Sequence, residues 1–484
     1  MEDLGFLSLI PPLLAIGLAL ITRQVFISLA IGIWIGFVIL AGWNPALGSL
    51  DAINGIVSVF ESAGDTRVIL FTLIVGALIA LIQRSGGVAG FVLRLVSRLD
   101  KMSAKAESKG QRKLVELLAL GTGLLLFIES NISILTVGTL YRPIFDKLKI
   151  PREKLAYIAD SGSAPSSVLL PINAWGAYII SLIAAQPVIS NLGNPTEIFI
   201  RATLVNFYPM LVVVMLVIVI LSGRDIGGMK RAETRAKTTG LLNREDAQIM
   251  LADTALETPP KSGVTPRARN MLIPLSLMVG LMLFFMWFTG NGSMTEGSGS
   301  SSVLYATSFA VLGAILLYKI SGALKIRESF ETILSGMSGM VPLAILMVLA
   351  FALGDLCKDL GTGQYVADVA KGFITPALVP AIIFLVACFI SFSTGTSWGT
   401  FAIMIPIAVP LAPGLGADPI LAIAAAIGGG VFGDHCSPTS DTSIISSMAT
   451  ANDHIDHIRT QLPYALICGG LTTLLYLILG FLSS

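Results

Sequence analysis

What most limits the fold of this chain is a set of apolar segments as long as a bilayer is thick, one of them interrupted by ionisable residues. The stretch GDHCSPTSDTSIISS, from Gly433 to Ser447, lies between the apolar run 421–431 and the apolar segment 462–482. Two aspartates, a histidine and a row of hydroxyls are costly to keep at membrane depth. Groups held there are functional by default, on an ion or proton pathway. Pro438 and the dense Ser and Thr also argue against an unbroken helix. The pattern predicts a spanning helix that unwinds part-way, where freed carbonyls and hydroxyls can hold a small cation.

Of the 484 residues, 54% are hydrophobic and 13% charged, against about 25% charged in a soluble domain. The chain therefore reads as an integral, multi-pass protein of the cell (inner) membrane, with the lipid bilayer as its partner. Cys357, Cys388, Cys436 and Cys468 show no metal or redox spacing. Glu2 and Asp3 stand where a secretory signal carries basic residues, so the first apolar segment is expected to be a retained helix.

A spanning helix needs about 20 apolar residues. Such segments fall near 4–21, 25–41, 66–83, 154–184 and 201–222, and again near 270–289, 303–320, 336–354, 419–448 and 463–482. The stretches 113–141 and 376–412 are interrupted halfway by Gly, Ser, Thr and Asn and predict re-entrant hairpins. Between the halves, 1–222 and 270–484, the polar stretch 223–269 with Pro259-Pro260 reads as a mobile cytoplasmic linker.

The halves match in order. Pro11-Pro12 pairs with Pro274, LIQRSGG ending at Gly87 with LCKDLGT ending at Thr362, ESNIS at 129–133 with STGTS at 393–397, and SGSAPSS at 161–167 with HCSPTSD at 435–441. An odd number of crossings per half turns the second copy upside down. The expected fold class is thus an all-α polytopic membrane protein. It has two inverted-topology repeats, each of about five spanning helices plus one re-entrant hairpin, with mid-membrane broken helices. Placing 84–113, 142–154, 223–269, 319–335, Arg23 and Arg459 in the cytoplasm puts all but Arg67, Arg201, Lys358 and Lys371 of the 31 Lys and Arg there. That obeys the positive-inside rule with both termini outside.

Asp434, His435, Ser437, Thr439, Ser440 and Asp441 are the first candidate site residues. Their oxygens suit a hard cation such as Na⁺. Ser, Thr and Asp are also the favoured helix caps, so part of the set caps two half-helices. His435 either joins the site or orients one of the aspartates. In the first half, Asp160, Ser161 and Ser163 precede a comparable Gly/Ser/Pro break, followed by Pro171 and Asn173. The hairpin tips add Glu129, Ser130 and Asn131 on one side and Thr394, Thr396 and Ser397 on the other. The expected cation and proton groups are Asp434, Asp441, Asp160, Glu129 and His435, with Na⁺ held through Asp434, Asp441 and Asp160. Asp453, His454, Asp456 and His457 resemble a metal cluster on spacing alone, but fall in a short cytoplasmic connection and read as a solvated or pH-sensing turn. Trp175 and Trp398 are expected to pack beside the site.

FSTGTSWGTFAIMIPIAVP at 392–410, GDHCSPTSDTSIISS at 433–447, DHIDH at 453–457 and QLPYAL at 461–466 resemble signature segments of the NhaC family of Na⁺/H⁺ antiporters. SLIPPLLAIGLALITRQVFISL at 8–29 is similar to that family's start. The resemblance implies the ion-transporter superfamily architecture, two re-entrant hairpins and a homodimer. FIESNIS at 127–133 and LAYIADSGSAPSSVLLPINAWG at 155–176 lie closer to a mixed group within the family, some of whose relatives exchange organic acids or move amino acids.

The leading reading is a Na⁺/H⁺ antiporter working by alternating access. Na⁺ and H⁺ are the transported or coupling ions, and neither a further cofactor nor a nucleic acid is expected. Its rival is a sodium-coupled carrier or exchanger for a small organic acid or amino acid, with ions at the hairpin tips. Against that rival stands the absence of a mid-membrane Arg to hold a carboxylate. A channel or sensor does not call for an inverted duplication. There is no phosphate-cradling glycine loop for an ATP-driven pump, and no nucleophile–base pair for an enzyme.

Overall fold

The computed structural model describes residues 4–22, 24–91, 93–94, 108–127, 130–170, 173–186, 188–189, 192–249, 260–293, 297–362, 365 and 375–483. Regular structure among them is helical, apart from an isolated antiparallel bridge between Ile249 and Asp453. The first half runs α1 (Ile10–Thr22), α2 (Val25–Leu40), α3 (Pro45–Ser58) and α4 (Ala63–Arg84). A hairpin follows, α5 (Ser108–Leu125) and α6 (Ser130–Lys147), then α7 (Arg152–Ser161), the single turn α8 (Ala164–Ser167), α9 (Ala174–Ala184), α10 (Pro195–Leu204) and α11 (Phe207–Ser222). After α12 (Gly227–Thr239) the second half runs α13 (Arg269–Thr289), α14 (Gly299–Ser321) and α15 (Ile326–Asp359). Its hairpin is α16 (Val379–Thr394) and α17 (Ser397–Gly414), followed by α18 (Pro419–Cys436), α19 (Asp441–Thr450) and α20 (His454–Ser483).

Among the described residues, nine helical stretches are long and apolar enough to cross a membrane. Their burial sorts them into layers. The α18–α19 stretch is 89% buried in its most apolar window, whereas those of α11 and α13 are 22% and 28% buried. The broken helix is therefore the axis of the bundle, and α11 and α13 turn apolar faces outward, where lipid replaces water. Gly-rich α18 packs along α16 because its glycines let the backbones touch. A Cβ at Gly433 would stand 2.1 Å from the Phe392 nitrogen, and one at Gly429 would stand 2.5 Å from the Phe384 oxygen. On its other side α19 packs against α6 and α7, so the second broken helix touches both hairpins.

The local sequence explains where helices stop. Pro438 cannot donate to a helix ladder, and α18 ends two residues before it. Asn173, Asn194, Asp418 and Ser440 cap the helices that follow them, accepting first-turn N–H groups. α4 and α15 both end in a turn whose second residue is a left-handed glycine, Gly86 and Gly361, each at φ +69°. This is the LIQRSGG and LCKDLGT pair.

Three expectations need correcting. The span expected near 201–222 starts at Phe207, after the separate short helix α10, and α3 is a short, half-polar helix outside the expected spans. α20 starts at His454 rather than near 463, and so draws the DHIDH stretch into a long helix. The third correction concerns the linker expected to be mobile, parts of which are docked on the bundle. Glu233 of α12 pairs with Lys154 at 3.2 Å, and Arg235 pairs with Glu153 at 2.8 Å. Asn243 donates to the Ala451 carbonyl at 3.2 Å, and the Gln248 N–H donates to Asp453 at 2.8 Å. A buried lysine such as Lys154 must find counter-ions, and the linker supplies them.

Candidate ion-translocation site

Two interrupted helices meet at the centre of the bundle. α7 ends at Ser161, where Gly162 and Ser163 stop it, and carries Asp160 in its last turn. Asp434 and His435 occupy the last turn of α18. Asp160 is fully buried, and its Oδ2 accepts from Ser443 of α19 at 3.0 Å and from Gln461 of α20 at 2.9 Å. His457 Nε2 lies 3.1 Å from the same oxygen, a hydrogen bond whose proton sits on the imidazole when the carboxylate is ionised. The first-half aspartate is thus held by three second-half side chains.

His435 connects the two breaks directly. Its Nε2 pairs with Ser161 Oγ at 2.8 Å and its Nδ1 with the Tyr208 hydroxyl at 2.9 Å, while Gln461 donates to its carbonyl. Asp434 faces the second hairpin. Ser397, the first residue of α17, donates to one carboxylate oxygen, and Ser440 donates to the other at 2.7 Å. Ser437 donates to the Phe392 carbonyl at 2.6 Å, which ties the break to the hairpin tip. Gly395, at φ +72°, has the Thr439 oxygen 2.4 Å from where a Cβ would sit, so only glycine fits this tip.

The cluster also contains open positions. Asp160 Oδ1, Gln461 Oε1 and His457 Nδ1 are buried without a hydrogen-bond partner among the described residues. Buried polar atoms are nearly always paired. A carboxylate oxygen left open is a place for a proton or a cation, and oxygen donors are what a hard cation requires.

Residues 169–481 match the Na⁺/H⁺ antiporter family. The chain belongs to this family. An uncharacterized protein of Haemophilus influenzae is 33% identical over 98% of this chain and 91% of its own length. Two named relatives are similar over shorter stretches. The malate-2H⁺/Na⁺-lactate antiporter of Bacillus subtilis is 30% identical over 23% of this chain and 24% of its own length. The Na⁺/H⁺ antiporter NhaC of Alkalihalophilus pseudofirmus is 28% identical over 29% of this chain and 30% of its own length. In fold, the antiporter resembles the YdaH transporter of Alcanivorax borkumensis, with a TM-score of 0.58 at 14% identity over 90% of this chain and 89% of that one.

The expected site residues fall into distinct places on this antiporter. Asp160, Ser161 and His435 are joined through Gln461, Asp434 binds Ser397 and Ser440, and Ser443 links the two buried sets. Ser163 turns back on the Asp160 carbonyl at 2.9 Å, Thr394 on the Ile390 carbonyl at 2.9 Å, and Thr396 accepts from the Gly399 N–H at 3.4 Å as the cap of α17. Ser437 and Thr439 pair with each other at 2.9 Å across the break. Ser130 is buried at the start of α6. Glu129 and the side chain of Asn131 lie outside the described residues.

Asp441 is exposed as the first residue of α19, next to the buried capping residue Ser440. Among the described residues no three His, Cys, Asp or Glu side chains converge to hold a metal ion, so Asp434, Asp441 and Asp160 do not share one point.

The solvated-turn reading of DHIDH is also corrected. His457 is fully buried on Asp160, and His454 pairs with the Pro438 carbonyl at 2.8 Å and with Ser447 at 3.1 Å. Sequence reasoning missed Gln461, Ser443 and Tyr208, and placed His457 in a solvated or pH-sensing turn. The one available signal was the i, i+4 spacing of His457 and Gln461, which sets both on one helix face. Asp453 stands outside the spans, in the connection before α20. Burial pushes its pKa up, but the N–H groups of Gln248, Asp456 and Ile455 outweigh this and hold it below the usual carboxylate value.

Proposed function

We propose that this antiporter exchanges Na⁺ for H⁺ by alternating access, with Asp160 and Asp434 as the groups that carry either a proton or the ion. The supporting observation is the Asp160 carboxylate, buried, held on one oxygen by three donors and open on the other. An ionised Asp160 offers that oxygen to Na⁺; a protonated Asp160 has lost the charge that attracts it. Ion and proton then compete for one group, which is what coupled exchange requires. Asp434, held by two hydroxyls, is the second exchange group, and exposed Asp441 fits an entrance. The corresponding order of elements in 1–222 and 270–484 supports inverted repeats, whose hairpin-and-break units rock against the remaining helices. The working form is a homodimer in the cell (inner) membrane.

A second reading, a sodium-coupled exchanger of a small organic acid or amino acid, is favoured by the malate–lactate relative. Beside the second hairpin tip an aromatic group, Trp175 and Trp398 with ring centroids 5.2 Å apart and Tyr178 stacked on Trp398 at 4.8 Å, suits the apolar part of such a solute.

Liposomes containing a pH-sensitive dye and given a Na⁺ pulse without organic solute separate the two. Proton movement that is lost in both Asp160→Asn and Asp434→Asn supports Na⁺/H⁺ exchange at these residues. Wild-type movement in either variant removes that residue from the mechanism. Silence in folded protein, with a signal restored by an added carboxylate, selects the second reading.

A further inference from the structure

A cavity of about 880 Å³ opens between the start of α5, the end of α6, the start of α7 and the α11–α12 connection. It lies at the Lys- and Arg-rich end of the bundle, away from the aspartates of the proposed ion site. Six cationic side chains line it: Arg112, Lys113, Lys147, Lys149, Lys154 and Lys237. Against them stand three carboxylates, Glu116, Asp225 and Glu233.

The carboxylates are already engaged. Lys154 Nζ is 3.0 Å from Asp225, 3.2 Å from Glu233 and 3.8 Å from Glu116. Arg112 and Lys237 both pair with Glu233, at 2.8 Å and 3.1 Å. Glu233 is buried, and burial pushes its carboxyl up, but Lys154 and Arg112 together hold it below the usual value, so it stays charged. Of the remaining cations, Lys113 donates to the Leu221 carbonyl at 2.5 Å. Lys147 and Lys149 are exposed and make no ion pair with a described residue. The described lining therefore keeps a positive excess, arranged around a space the size of a small-molecule site.

We propose that this cavity binds a phosphate-bearing anion. Basic pockets between membrane helices on the positive-inside face are suited to the headgroups of acidic phospholipids, which are concentrated at that surface, and free phosphate has the same chemistry. Lys147 and Lys149 supply the uncommitted charge, and Arg112 and Lys154 complete the wall without giving up their carboxylates. Arginine and lysine are the side chains that recognise phosphate. This site does not depend on the ion chemistry at Asp160, so its test reads binding rather than transport.

Thermal unfolding of the purified full-length protein in detergent is measured with added phosphatidylglycerol, with phosphatidylcholine, and with inorganic phosphate against chloride at equal ionic strength. Phosphatidylglycerol is expected to raise the midpoint and phosphatidylcholine to leave it unchanged. The rise should vanish in Lys147→Gln/Lys149→Gln, whose midpoint without additive should match wild type because both side chains are exposed, and persist in Lys230→Gln, an exposed lysine outside the cavity. A rise with inorganic phosphate that the double variant abolishes assigns the site to the free anion. Equal shifts with both lipids and none with phosphate, or a rise undiminished in the double variant, overturn the proposal.

Discussion

At the scale of residues, the site depends on a carboxylate whose neighbours come from elsewhere in the chain. His457 reaches Asp160 across 297 residues of sequence, and Gln461 across 301. A hydrogen bond to a charged group contributes about 1.5–3 kcal/mol. His457→Ala should therefore slow Na⁺-evoked proton movement by about 10- to 100-fold, a tenfold change corresponding to about 1.4 kcal/mol. His457→Gln, which retains a donor, should recover part of the rate. Unaltered exchange in the alanine variant would show that His457 does not position Asp160. Asp160 was legible from the sequence because it sits beside a Gly/Ser/Pro break. Its three donors were not, since nothing local to Ser443, His457 or Gln461 indicates what they face.

At the scale of elements, the axis helix works because it is thin. Gly433→Val forces a side chain against the Phe392 backbone, where overpacking costs about 1–3 kcal/mol or more. Gly470→Ala, with no atom of the described residues within 4 Å of the added carbon, should be neutral or stabilising by about 0.5–1 kcal/mol. Melting curves in detergent that rank the two variants the other way would contradict this packing.

The docked linker has its own pH signature. Asp453, which accepts the Gln248 N–H, has a depressed pKa in the folded protein. A group shifted in that direction stabilises above its unfolded value, about 3.9, and loses that contribution as pH falls through the folded one. Proteolytic cutting within 240–249 should stay constant from pH 7 to about pH 4 and rise below it. Cutting that accelerates between pH 7 and pH 5 would show that Asp453 does not govern the docking.

At the scale of the whole molecule, orientation follows from where the cations lie. Thr238 is exposed at the end of α12, and the four native cysteines are buried, so background labelling is low. Thr238→Cys should react with a membrane-impermeant thiol reagent in inside-out vesicles and not in intact cells. Labelling in intact cells would reverse the topology derived from the positive-inside rule. The linker also acts at this scale. By pairing with Glu153 and Lys154 at the head of α7 and with Asp453 before α20, it ties the two aspartate-bearing regions together at one face.

The sequence by itself determined the membrane class, most of the apolar spans, and the two breaks. Each of these follows from chemistry contained in a short window: an apolar length that matches a bilayer, a proline without an N–H, a glycine where a turn needs one. Only the tertiary structure decided that Asp441 is exposed while Asp434 is buried, that His457 of DHIDH packs on Asp160, and that parts of a charged linker are docked. A charge or a hydrogen-bonding group takes its meaning from its partners. In this chain those partners lie hundreds of residues apart and are brought together only by packing.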